Sequence, residues 1–320
     1  MSIIIAPDSF KGTYSATQVA AAIAAGVAAA GGTAVELPVA DGGEGTLECL
    51  TRPLHLELAS AECVNPWHAP MTGHYGLTGD GTAVIEVAEA SGITTPHHGR
   101  RDAITADTYG TGMLIAEAAR RGATRIVVAA GGSATTDGGR GAITALHDSD
   151  VAIPDLTVLT DVTTTYCDAA TVFSPQKGAD PHAVTVLTDG LHELAHTLPR
   201  NPSEVPGSGA AGGLAGGLWA QFDAQIVPGA DFVLDTLDFD EVVRNGSALV
   251  VGEGRLDSQT QAGKIISALV RRSAGLPVFA VVGSVGDYTG TDFAEVITAT
   301  DTNHLRRAGA HIAQRLGVPA

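Results

Sequence analysis

The sequence predicts an α/β fold made of two α/β domains: a Rossmann/flavodoxin-like parallel-sheet domain with a second α/β domain inserted in it. Three observations predict this. At the start of the chain short apolar strands alternate with helices, and each strand runs into a polar or glycine-rich loop, the pattern of an open parallel sheet. After Arg52 the rhythm becomes that of a strand meander with turns. From Ala248 onward strand–loop–helix units return, so the middle of the chain interrupts a domain that its two ends complete. The expected division assigns 1–60 and 231–320 to the discontinuous Rossmann-like domain and 61–230 to the insert.

Taken in order, Ile3, Ile4 and Ile5 read as a short buried strand, and APDSFKG as the polar loop after it. Ser15 and Gln18 are spaced as a capping box for a helix that Gly31 and Gly32 stop near residue 30. A second strand at 35–39 ends in ADGGEG, and a second helix starts at Thr46. In the insert, 54–58 alternates, WHAPMTG and LTGDGT read as turns, and 83–87 reads as a strand. A helix over 108–121, closed by Gly122, feeds a strand at 126–130, whose apolar run is too short for a stable helix and begins β-branched. Gly131 and Gly132 stop that strand, and a helical run begins at Ala142. A short strand at 158–159 precedes Asp161, a helix spans 181–198, and PGSGAAGGLAGGL is a glycine-rich loop entering another helix. The last units are strands at 248–251, 278–282 and 296–298, followed by GEGRLDSQTQAGK, GSVGD and TATD.

The 320 residues suffice for two substantial cores. A net charge of −17 argues against non-specific binding to nucleic acid or to an anionic membrane, both of which need basic surface. No apolar run approaches the roughly 20 residues of a membrane span, and the apolar start of MSIIIAPDSF is too short for a signal sequence. Cys49, Cys63 and Cys167 show no CxxC spacing, so a reducing, cytoplasmic location is expected. Of 18 basic residues only Lys11, Lys177 and Lys264 are lysines, and each adjoins a glycine in a turn-like stretch. Lysines kept for solubility would scatter over helix faces, so this placement points to function.

The stretch GGSATTDGG (131–139) is a good receptacle for an anion, most simply a phosphate. Its glycines let backbone N–H groups approach a ligand, Ser133 and Thr135 add hydroxyls, and a helix start follows. Carboxylates expected at strand ends are Asp8, Asp41, Glu44, Asp161, Glu253 and Asp257. Glu44 and Asp137 also suit a purely structural role, capping helices or tying down glycine turns.

APDSFKG (6–12), ADGGEGT (40–46), GGSATTDGG (131–139) and GEGRLDSQT (252–260), with EVAEASG, TYGTG, PQKGA and GAAGG, follow one another from the first strand to about Gly283. In that order they resemble the signature segments of the type I glycerate kinase family. The resemblance implies ATP-dependent phosphorylation of D-glycerate with Mg2+, 2-phosphoglycerate being the favoured product. It also implies two α/β domains, one inserted in the other, with the active site in the cleft between them. A homodimer is compatible with it. Phosphoryl transfer needs positioning and charge neutralisation. On that basis Asp41 is the expected base, Asp257 the magnesium ligand with Asp161 as a further one, and Lys11 or Lys177 the partner of the transferred group. Arg255, with Asp8, Ser9 and Lys177, is expected to bind substrate, the guanidinium taking its carboxylate in a bidentate pair. Gly131, Gly132, Ser133, Thr135, Gly138, Gly139, Glu253, Thr260 and Lys264 are expected around the nucleotide. The chain departs from the family in a shorter segment between His147 and Val158, in TDVTTTY, which keeps Asp161 but not its usual neighbours, in Thr136 and in Ser174.

Rival readings are weaker. HELAH (192–196) matches the zinc-protease signature, but its histidines flank an apolar stripe of Val184, Leu187, Leu191, Leu194 and Leu198, and no third ligand pattern follows. A dinucleotide-binding oxidoreductase would carry GxGxxG where APDSFKG stands. A non-catalytic sensor of sugar acids on the same fold, or a kinase of a related hydroxy acid, would be told from a glycerate kinase by turnover of ATP with glycerate.

Overall fold

Strand β1 (Ser2–Pro7) is buried from Ile3 to Pro7, as a parallel strand covered on both faces must be. The computed structural model describes residues 2–257, 264–288, 290 and 292–318. The chain forms two units, the first comprising Met1–Asp41, Glu48–Pro53 and Ala230–Ala320, the second Gly42–Leu47 and Leu54–Gly229.

In the first unit β1 pairs in parallel with β2 (Thr33–Glu36) on one side and with β9 (Ala248–Leu256) on the other. β10 (Val278–Val285) and β11 (Glu295–Thr298) complete the sheet β11-β10-β9-β1-β2. Counted within the unit the order is 2-1-3-4-5, the flavodoxin-like arrangement. Period-two alternation assigns the faces. Ile3 and Ile5 pack with α1 (Ala16–Ala29) and α12 (Thr302–Arg315), whereas Ile4 and Ala6 pack with α9 (Gly229–Thr236), α10 (Phe239–Arg244) and α11 (Lys264–Arg271). α1 and α12 approach backbone to backbone: a Cβ on Gly26 would stand 1.8 Å from Arg306 O, and one on Gly309 2.0 Å from Ile23 O. The Ser15/Gln18 capping box forms as its spacing predicts. β9 and β10 outrun their expected ends because they pair as far as Arg255 with Ser284 and Leu256 with Val285. Much of the expected GEGRL and GSV loop sequence is therefore strand.

The second unit's sheet keeps chain order: β3 (Glu57–Val64), β4 (Pro70–Leu77), β5 (Thr82–Glu86), β6 (Arg125–Ala129), β7 (Asp155–Thr160) and β8 (Gln225–Pro228). The first three are an antiparallel meander, and β5 to β8 are parallel. Met71, Thr72 and Gly73, expected in a turn, lie in β4 opposite Cys63, Glu62 and Ala61. β3 pairs with β4 along its length, so the division between units falls at 53/54, ahead of β3 rather than within it. Helices α4 (Tyr109–Arg120), α5 (Arg140–Asp148) and α8 (Leu214–Phe222) pack on one another over a core that includes Leu114, Ile115, Ile126, Val128, Leu146 and Leu218. The shorter link of 149–154 still delivers a β7 that pairs on both edges. Among the described residues no helix is long and apolar enough to cross a membrane.

Candidate active site

Open parallel sheets bind ligands at the carboxyl ends of the strands, where the strand order reverses. In the first unit that point lies between β1 and β9. Asp8 follows β1 directly, and its N–H continues the ladder by donating to Gly252 O at 2.9 Å. Buried Phe10 donates its N–H to Tyr14 O at 2.9 Å and turns the chain, leaving Lys11 exposed at the loop tip. Leu37 and Val39 donate to Ile5 O and Pro7 O at 2.8 and 3.0 Å, prolonging the run of β2 beside β1 as far as Val39, two residues before Asp41. The consequence is electrostatic. Asp8 is only 8% exposed, and its pKa is pushed up from 3.8 to about 7. Burial is the largest cause and the Asp41 carboxylate the next, while a 2.6 Å bond from Ser9 N–H and the Lys11 charge act the other way. A buried carboxyl poised near neutrality at a strand end is the profile of a proton acceptor.

On β9, Glu253 is half-buried and Arg255 exposed. Arg255 Nε donates to Asp257 Oδ2 at 3.0 Å, so two residues expected to serve separate ligands hold each other. Asp8, Ser9, Lys11, Asp41, Glu253, Arg255 and Asp257 all belong to this unit, at the carboxyl ends of its strands.

The second unit gathers a second set at the carboxyl ends of β5, β6 and β7. Glu86 ends β5, is 7% exposed, and accepts from Leu47 N–H at 2.7 Å, tying down the segment Gly42–Leu47. Burial raises its pKa to about 7 against the pull of that bond. Gly131 sits on Gly43, where a Cβ would come within 2.5 Å of Gly43 Cα. The loop after β6 has two halves. In the later half Asp137 accepts from Thr108 N–H and Oγ1 and from the N–H groups of Gly139 and Gly141, and Gly138 N–H donates to Gly212 O. A Cβ on Gly138 would meet Tyr166 Oη at 2.0 Å. Packing and internal hydrogen bonds thus account for Gly138, Gly139 and Asp137. The earlier half, Gly131, Gly132, Ser133 and Thr135, is gripped by Lys177, whose Nζ donates to Ser133 Oγ at 2.9 Å and Thr135 O at 2.6 Å. Asp161 follows β7 and is half-buried.

Thr260 lies outside the described residues, and Lys264 heads α11. His192 and His196 are exposed on α7 (Pro181–Thr197) beside buried Leu187, Leu191 and Ala195, as the stripe predicts. Among the described residues no three His, Cys, Asp or Glu side chains are placed to hold a metal ion. Magnesium bound by one or two carboxylates together with phosphate oxygens and water needs no such cage, and the hard carboxylates at these strand ends suit it. Two features escaped sequence reasoning. Burial raises the pKa of Asp8, expected from the sequence only as a substrate ligand, and Glu86 fixes a loop remote in sequence. Glu86 does fall in EVAEASG, which was a signal available in the chain itself.

Carboxylates and a lysine at the switch point of the flavodoxin-order sheet, and a glycine-rich loop on the parallel part of the second unit's sheet, fit an α/β enzyme acting on a small charged ligand. The sequence profile of the glycerate kinase family matches residues 3–149 and 147–306. The chain is 36% identical to glycerate kinase of Bacillus subtilis (89% of this chain, 85% of that one) and 34% identical to glycerate 2-kinase of Escherichia coli (91% and 87%). A crystal structure described as glycerate kinase 2 from Salmonella typhimurium LT2 superposes with a TM-score of 0.84 at 30% identity, over 99% of this chain and 98% of that one. The chain belongs to the glycerate kinase family and is a kinase.

Proposed function

We propose that this protein transfers the γ-phosphoryl group of ATP to D-glycerate, with magnesium, giving 2-phosphoglycerate. The observation that carries the site assignment is Asp8, a buried carboxyl with a pKa near 7 beside Asp41 and within reach of the Lys11 charge. Asp8 takes the proton of the substrate hydroxyl as that oxygen bonds to the γ-phosphorus. The bond from the γ-phosphorus to the bridging oxygen breaks, and ADP departs. Asp41 raises the basicity of Asp8, and Lys11 offsets charge on the moving group. Arg255, held at Nε by Asp257, presents its guanidinium plane to the substrate carboxylate. Magnesium, when bound, would neutralise phosphate oxygens, and Asp257 is the proposed carboxylate for it. The earlier half of the loop after β6 is the proposed site for nucleotide phosphate. Coupled ADP release with D-glycerate, followed by NMR of the product, tests the proposal. Folded protein that releases no ADP above background would sink the activity, and a phosphate on the 3-hydroxyl would sink the regiochemistry.

A further inference from the structure

Lys177 ends the short 3-10 turn Pro175–Lys177, and the chain reverses at Gly178 with φ 93°. The turn is closed by Lys177 N–H donating to Ser174 O at 3.0 Å, and Ser174 Oγ anchors it by donating to Ala170 O at 2.6 Å. From this fixed base the side chain reaches the loop after β6, with Nζ on Ser133 Oγ at 2.9 Å and on Thr135 O at 2.6 Å. The same loop is held elsewhere. Ala134 N–H donates to Ser91 O at 2.8 Å and Ile93 N–H to Gly132 O at 2.9 Å, and Asp137 binds Gly139 and Gly141. Lys177 supplies the remaining hold, on the two residues between those ties.

A lysine that grips a transferred phosphoryl group needs its donors and its charge directed at the ligand. Here two donors are committed to loop atoms. Burial also pulls the Lys177 pKa down to about 7, against the opposing pull of Asp137. A neutral amine keeps two N–H donors, enough for the two acceptors present, so the grip depends on donors rather than on charge.

We infer that Lys177 is a positioning residue whose amine sets the conformation of the 131–136 turn, and that it does not touch the transferred phosphoryl group. Its catalytic consequence rests on the proposal that this turn binds nucleotide, whereas its structural consequence stands apart from that proposal. Two measurements on full-length Lys177→Met separate them. Amide hydrogen exchange at 131–136 should quicken by about tenfold or more, the scale of losing well-formed hydrogen bonds, with the rest of the second unit unchanged. KM for ATP should rise by about tenfold while kcat stays within about threefold. Ser133→Ala, a milder change, should produce part of both effects, and should add less than about twofold in the Lys177→Met background because the bond is already lost. Lys177→Arg should fail to restore either, since the planar guanidinium cannot reproduce the paired amine contacts. A protein without kinase activity would leave the exchange result to decide. Unchanged exchange in both single variants overturns the inference. So does a 100-fold fall in kcat at constant KM, or recovery by Lys177→Arg, either of which would assign Lys177 to the phosphoryl group through its charge.

Discussion

Replacing Asp8 by Asn should make the protein more stable and nearly inactive at once. The Asp8 carboxyl goes from 3.8 to about 7 on folding, and each pKa unit is worth about 1.4 kcal/mol. Holding the charge at pH 8 therefore costs the folded state up to about 4 kcal/mol relative to the unfolded chain. The direction follows from proton binding: between pH 4 and 7 the unfolded carboxyl releases its proton first, so this contribution lowers stability as pH rises, and it levels off above 7. Asn carries no charge and keeps an oxygen for the Ser9 N–H, which lies 2.6 Å from Oδ1. The variant should gain about 2 kcal/mol or more at pH 8, after allowance for placing an NH2 group in a buried site, and the gain should vanish near pH 4. Urea unfolding at pH 4, 6 and 8 on both proteins reads this difference directly. Turnover should fall by about 100-fold or more, the scale of losing a general base. Turnover within threefold of the parent would refute the proton-accepting role, and a difference in stability that does not change with pH would refute the burial argument beneath it.

Three further outcomes are expected. Lys11→Met should lower turnover by about 100-fold with little change in melting temperature, because the side chain is exposed. It should also move the acidic limb of the pH–rate profile upward, since the Lys11 charge helps to hold the Asp8 pKa down. For Glu86→Gln, equilibrium unfolding should show that the variant loses the part of the stability decline between pH 4.5 and 7 that the raised Glu86 pKa produces, whereas Glu86→Ala, compared with the parent near pH 4 where Glu86 is neutral in the folded protein, should cost about 1–3 kcal/mol by removing the hydrogen bond to Leu47 N–H. The pair His192→Ala, His196→Ala should leave ADP release within about twofold of the parent, and a larger loss would revive a role for the exposed HELAH face.

The sequence by itself determined where several strands and helices begin and which stretches gather the polar side chains. Ile3, Ile4 and Ile5 can only be a strand buried on both sides, Ser15 and Gln18 fix a helix start, and the glycines after each strand mark the loops that carry polar side chains. These are local properties, set by side-chain period, capping and backbone freedom, and they are written in neighbouring residues. Tertiary structure decided which polar groups are buried and what they touch. Asp8 and Asp41 read alike in the chain, yet the pairing of β1 with the residues after β2 buries Asp8 beside Asp41, and burial with that neighbouring charge raises the Asp8 pKa. Lys177 Nζ is committed to Ser133 and Thr135, and four donors converge on Asp137 in the structural role its place among glycines suggested. Glu86 meets Leu47 across 39 positions of sequence. Protonation and hydrogen-bond commitment depend on desolvation and on neighbours brought together by the fold, and no local pattern encodes either.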